Sequence, residues 1–152
     1  MTEARLSGRT EIAAAPAVVV AALHDPAMLR RMIPGCSDIS PAGPDAWSAR
    51  IERAAGPVTL RLVARIALQT LPDGAGYVLT AQGKSLIAGS VSLRLALALR
   101  DADGSTVLDH DGTLQAEGLA GRLLQGNEAR VAARSDQVFS RLREHLEAEA
   151  RA

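Results

Sequence analysis

Aromatic side chains are almost absent from this sequence: Trp47, Tyr77 and Phe139 are the whole set in 152 residues. Ala, Leu and Val must therefore fill the core, and their shorter reach leaves little bulk to close a large interior. Cysteine is reduced to Cys36, which excludes an internal disulfide and a multi-cysteine metal cluster and suits a reducing compartment. An excess of either charge is missing too. Lys and Arg together number 17, as do Asp and Glu, so there is no basic field to draw the chain to a phosphate backbone, and no nucleic-acid partner is expected. The most apolar run, Ile12 to Leu23, is interrupted by Pro16, is too short to span a bilayer and lacks a basic leader. The expectation is a cytoplasmic protein.

What is present is an ordinary globular composition, 47% hydrophobic and 22% charged. The length matches one domain at roughly 150 residues per domain, so residues 1–152 read as a single unit. Apolar residues alternate from Ala4 to Ile12, which predicts an opening strand with one wet face. Pro16 opens a short helix through Leu23, and Asp25-Pro26 caps a second that carries Met28, Leu29 and Met32 before Pro34-Gly35 stops it.

The middle of the chain predicts an antiparallel meander. One face of it is built from Trp47, Ala49 and Ile51, then from Leu60, Leu62, Ala64, Ile66 and Leu68 after a turn at Gly56-Pro57. Pro72-Asp73-Gly74 marks another turn. Tyr77, Leu79 and Ala81 follow, then Val91, Leu93, Leu95, Leu97 and Leu99, and finally Leu108, His110, Leu114 and Ala116. Beyond Gly118 the period changes to about 3.6, with Leu124, Val131, Val138 and Leu142 on one stripe of a single long C-terminal helix. Strand, two short helices, meander and long helix make an α+β domain in which a curved sheet grips the last helix. Such a sheet cannot close flush along one helix, so a cavity between them is expected.

The stretch Leu23, Asp25, Pro26, Leu29 and Ile33-Pro34-Gly35-Cys36 resembles the carbon monoxide dehydrogenase G-subunit (CoxG) family, within the START-like, helix-grip superfamily. Gly8, Pro16, Gly56-Pro57-Val58, Gly83-Lys84 and Gly121-Arg122-Leu123-Leu124-Gln125 extend the likeness over nearly the whole chain. The resemblance implies a helix-grip fold and a hydrophobic cavity for a lipid or quinone. It also implies an accessory role toward a molybdenum-containing hydroxylase at the cytoplasmic membrane, without catalysis and without a cofactor. Val20 stands where the family usually has Trp, and the chain ends at Ala152 without the apolar tail of longer members, so any membrane contact is expected to be peripheral, at the inner face.

Candidate cavity residues are Met28, Met32, Ile33, Trp47, Tyr77, Leu79, Leu95, Leu97, His110 and Leu124, with Ala81 and Ala116 as small members of the lining. Met28 and Met32, one helical turn apart, suit an adaptable lid or core packing. His110, on an apolar strand face, suits a hydrogen bond to a ligand head group or to a neighbouring core group. Pro34, Gly35 and Cys36 form a rigid loop that would bind a partner or border the cavity mouth, or simply turn the chain around a small buried thiol. No base points at Cys36, and Asp109-His110-Asp111 cannot chelate a metal because adjacent strand residues face opposite ways. Gly83-Lys84-Ser85 lacks the upstream glycine of a phosphate loop, and Asp101-Ala102-Asp103-Gly104 lacks the downstream Glu of a calcium loop, leaving a hairpin turn. A small helix-grip enzyme of cyclase or hydrolase type and a pure protein-interaction module are the competing readings.

Overall fold

A computed structural model of the chain describes residues 1–55, 57–72, 76–85 and 87–151; the turn signals at Gly56 and at Asp73-Gly74 lie outside these. The first strand, β1 (Thr2–Ile12), buries Ala4, Leu6, Thr10 and Ile12 and exposes the residues between. Two short helices follow, α1 (Pro16–Leu23) and α2 (Pro26–Met32), each opened by a proline whose missing N–H has no helical partner to lose. The Asp25 carboxylate accepts the Ala27 N–H at 3.0 Å and so caps α2. Six further strands run as an antiparallel meander: β2 (Cys36–Gly43), β3 (Ala46–Ala55), β4 (Val58–Thr70), β5 (Tyr77–Ser85), β6 (Gly89–Ala102) and β7 (Ser105–Glu117). The helices carry the chain from β1 to the far edge, and the meander returns it, giving the order β1-β7-β6-β5-β4-β3-β2.

Two elements differ from the sequence reading. Cys36–Gly43 is a strand, not a loop. As an edge strand it pairs only with β3, tolerates Pro41 and carries two register shifts, so its burial has no period of two to betray it. The C-terminal helix is divided into α3 (Leu119–Leu124) and α4 (Glu128–Arg151). Gly126 takes a left-handed φ of 83° that ends α3, and the Glu128 carboxylate accepts its N–H at 2.9 Å as α4 begins.

Val91, Leu93, Leu95, Leu97 and Leu99 of β6 share one core with Leu124, Val131, Val138 and Leu142 of the two helices. Burial of a Leu or Phe is worth about 1.5–3 kcal/mol each, so the sheet–helix contact dominates the stability of the fold. At the β6–β7 hairpin the Asp101 carboxylate accepts the Gly104 N–H at 2.9 Å, and Asp103 and Gly104 both have positive φ, as a tight two-residue turn requires.

Candidate functional site

Between the concave face of the sheet and α4 lies a cavity of about 240 Å³. Its sheet wall is formed by Ile51 of β3, Leu62, Ala64 and Ile66 of β4, Leu79, Ala81 and Gly83 of β5, and Val91, Leu93 and Leu95 of β6. Antiparallel register explains why the space is here. Ala64 sits opposite Gly83 and Ile66 opposite Ala81, which gathers the small side chains of two strands into one patch. Phe139, Val138 and Ser135 of α4 form the opposing wall, and Leu29, Met32, Ile33 and Pro34 close one side from α2 and the turn after it. Ser135 supplies the only side-chain hydroxyl in this lining.

Of the residues singled out from sequence, Met32, Ile33, Pro34, Leu79 and Leu95 line the cavity, as does Ala81. The others stand elsewhere. Met28 is buried where α2 meets a surface groove beside His145 and Leu146. Trp47 and Tyr77 lie at the opposite ends of their strands from the cavity, where each meets the His24 ring edge-on, at 6.5 and 6.2 Å. Leu97 and Leu124 are core residues outside the lining, and Ala116 is buried against α3. Gly35 and Cys36 follow Pro34 but do not line the cavity.

His110 stands behind the wall rather than in it. Its ring is stacked on Phe139 at 4.5 Å, with Nε2 3.4 Å from Ser135 Oγ and 3.5 Å from an Asp136 carboxylate oxygen. Gly8 makes this cluster possible, because a Cβ there would collide with the Asp136 carboxylate and come within 2.7 Å of the His110 ring. Burial lowers the His110 pKa, against the opposing pull of Asp136, Asp111 and Asp109, so the ring is neutral at pH 7. Both polar neighbours face the same nitrogen, while Nδ1 is buried and unpartnered among the described residues. The arrangement therefore lacks the two-sided hydrogen bonding through which a histidine relays a proton from hydroxyl to carboxylate.

Cys36 is half-buried, donates its S–H to the Asp38 carbonyl at 3.4 Å, and has its pKa raised by burial. It is a protonated thiol without a base beside it. Among the described residues no group of three potential metal ligands occurs, and no helix is long and apolar enough to cross a membrane. Sequence reasoning missed Leu62, Ala64, Gly83 and Ser135 as lining. The readable signal for Ser135 was a hydroxyl on the apolar stripe between Val131 and Val138; the others needed the register.

The family described as the carbon monoxide dehydrogenase G subunit, CoxG, matches residues 8–146. No curated protein matches the chain. Among solved structures, a conserved protein from Geobacillus kaustophilus is similar with a TM-score of 0.78 at 20% identity, over 95% of each chain. The Zhui aromatase/cyclase from a Streptomyces species is similar with a TM-score of 0.66 at 20% identity, over 99% of this chain and 97% of that one. At such identities the likeness is one of fold, the helix-grip arrangement of a curved sheet on a long helix.

Proposed function

Because the chain belongs to the carbon monoxide dehydrogenase G-subunit family, we propose that it is a non-catalytic accessory protein that holds a hydrophobic molecule, a lipid or quinone, in the cavity beneath α4. In this role it assists or recruits a molybdenum hydroxylase at the cytoplasmic membrane, touching the membrane peripherally. The observation that carries the reading is the lining itself: nineteen residues, none of them charged, with Ser135 the only hydroxyl. A pocket of about 300–1,000 Å³ is usual for a small ligand, so about 240 Å³ suits a slim apolar chain or ring more than a bulky polar substrate. Catalysis would need an acid, a base or a nucleophile at the wall.

The second reading, a small helix-grip enzyme, is favoured by Ser135, which brings a hydroxyl backed by His110 to the cavity surface. Against it, the Ser135 hydroxyl already donates to the Ala132 carbonyl at 2.8 Å, and His110 is neutral with Asp136 on the wrong nitrogen for a relay. Native mass spectrometry and solvent extraction of the purified protein test the carrier role. A bound lipid or quinone, lost in Ala81→Phe, is the expected result. A protein that extracts clean and takes up neither would leave the interaction-module reading in its place.

A further inference from the structure

The concave face of β3 reads Trp47, Ala49, Ile51 and then Arg53, so an arginine continues an apolar row at the end of the strand next to the cavity. Arg53 is half-buried, and its stem lies against the turn that borders the cavity: a Cβ on Gly35 would come within 2.8 Å of Arg53 Cδ. Gly35 has a φ of 79° and its absent Cβ would also strike the Glu52 carbonyl, so the close approach of stem and turn depends on glycine. Across the opening, Arg134 and Arg141 of α4 flank Val138 at four residues before and three after, one helical face whose middle member lines the cavity. Both lie close enough that their charges act on Arg53, and with its burial they disfavour its charged form.

Among the described residues these charges have no partner. The ion pairs there join Arg5 to Asp111, Arg9 to Asp109, His24 to Asp45, Arg61 to Glu52, His110 to Asp136 and His145 to Glu149, and none uses Arg53, Arg134 or Arg141. A guanidinium turned onto an apolar face beside two like charges is destabilising by itself, and a bound anion would reverse the sign of that contribution. We propose that Arg53, Arg134 and Arg141 seat the oxyanion head, carboxylate or phosphate, of an amphiphile whose apolar chain enters the cavity past Pro34, Ile51 and Val138. The planar donor forks of arginine match either head bidentately. This rests on the cavity reading above and narrows its ligand to an anionic lipid.

The test is calorimetric titration of the whole chain with decanoate, decyl phosphate, 1-decanol and inorganic phosphate. At least one of the two anionic amphiphiles should bind more than about tenfold tighter than 1-decanol, as charge-assisted hydrogen bonds at a partly desolvated site imply, and the tighter of them names the head group. Added salt should shrink that advantage. Arg134→Gln and Arg141→Gln, on the exposed side of α4, should each reduce it, and the triple variant with Arg53→Gln should abolish it while leaving 1-decanol binding unchanged. Equal binding of 1-decanol and both anions overturns the anion seat and leaves the cavity reading standing. An advantage that survives in the triple variant overturns the assignment to these arginines. Inorganic phosphate binding as tightly as decyl phosphate removes the chain from the site, and failure of all three decyl probes sinks the cavity reading itself.

Discussion

The two ends of the concave sheet face are made from the same few residue types and differ in how they are filled. At one end Trp47, Leu68, Leu97 and Leu108 meet Val19 of α1 and Leu142 of α4 in a solid core, each 6% exposed or less. At the other, Ala64, Ala81 and Gly83 face Val138 and Ser135 across empty space. Two of the three aromatic rings, Trp47 and Tyr77, stand at the packed end, and the third, Phe139, lies on the cavity wall with His110 stacked on it. A chain with so little aromatic bulk can close one end of a curved sheet, and the end left open is the one where strand register aligns its smallest side chains.

The largest test of this contrast removes bulk at each end. Trp47→Ala should cost about 3–5 kcal/mol, whereas Leu93→Ala, half-buried beside existing space, should fall at or below the ~2 kcal/mol foot of the usual range for such truncations. Urea unfolding measures both, and equal losses would mean that the cavity end is packed after all. Adding bulk is the converse. Ala116→Phe, with no free volume beneath α3, should lose about 1–3 kcal/mol to overpacking. Ala81→Phe should stay closer to neutral while abolishing uptake of an apolar ligand.

The smallest effect sharpens the boundary between the two regions. His110 ordinarily titrates near 6.5, and burial holds it lower in the folded protein. The unfolded chain then binds the proton more readily, so stability is fully present above pH 6.5 and is lost as pH falls toward the folded value. Urea midpoints between about pH 7 and 5 should show this decline, and His110→Phe, which keeps a ring on Phe139, should flatten it. A histidine that titrates normally by NMR would mean that water reaches it from the cavity, and that Phe139 does not seal the packed side.

Much of the fold was legible where local chemistry and burial agree. The alternation of Val91 to Leu99, the Asp25-Pro26 helix start and the Asp103-Gly104 turn all appear as read. The edge strand at Cys36 escaped because one side of it pairs with nothing and only Ile39 marks an apolar position. The break at Gly126 carried its own signal, a glycine followed by Asn127 and Glu128, but the apolar stripe running through Leu124 and Val131 masked it. Among the candidate site residues, those on the turn from Met32 to Pro34 and on β5 and β6 at Leu79 and Leu95 were readable, because they belong to faces that point inward. His110 does stand on an apolar face, yet an inward face does not say what stands in front of it.

By itself the sequence determined the alternating faces, the capped helix starts, the neutral charge and the shortage of aromatic bulk, since each depends on residues a few positions apart or on composition alone. It also carried the family resemblance that residues 8–146 bear out. Only the tertiary structure decided which inward residues border space and which border each other. That depends on register between strands and on where α4 crosses them, and so on pairs such as Ala64 and Gly83, or Arg53 and Arg141, that are remote in the chain and adjacent only once the sheet has curved around its helix.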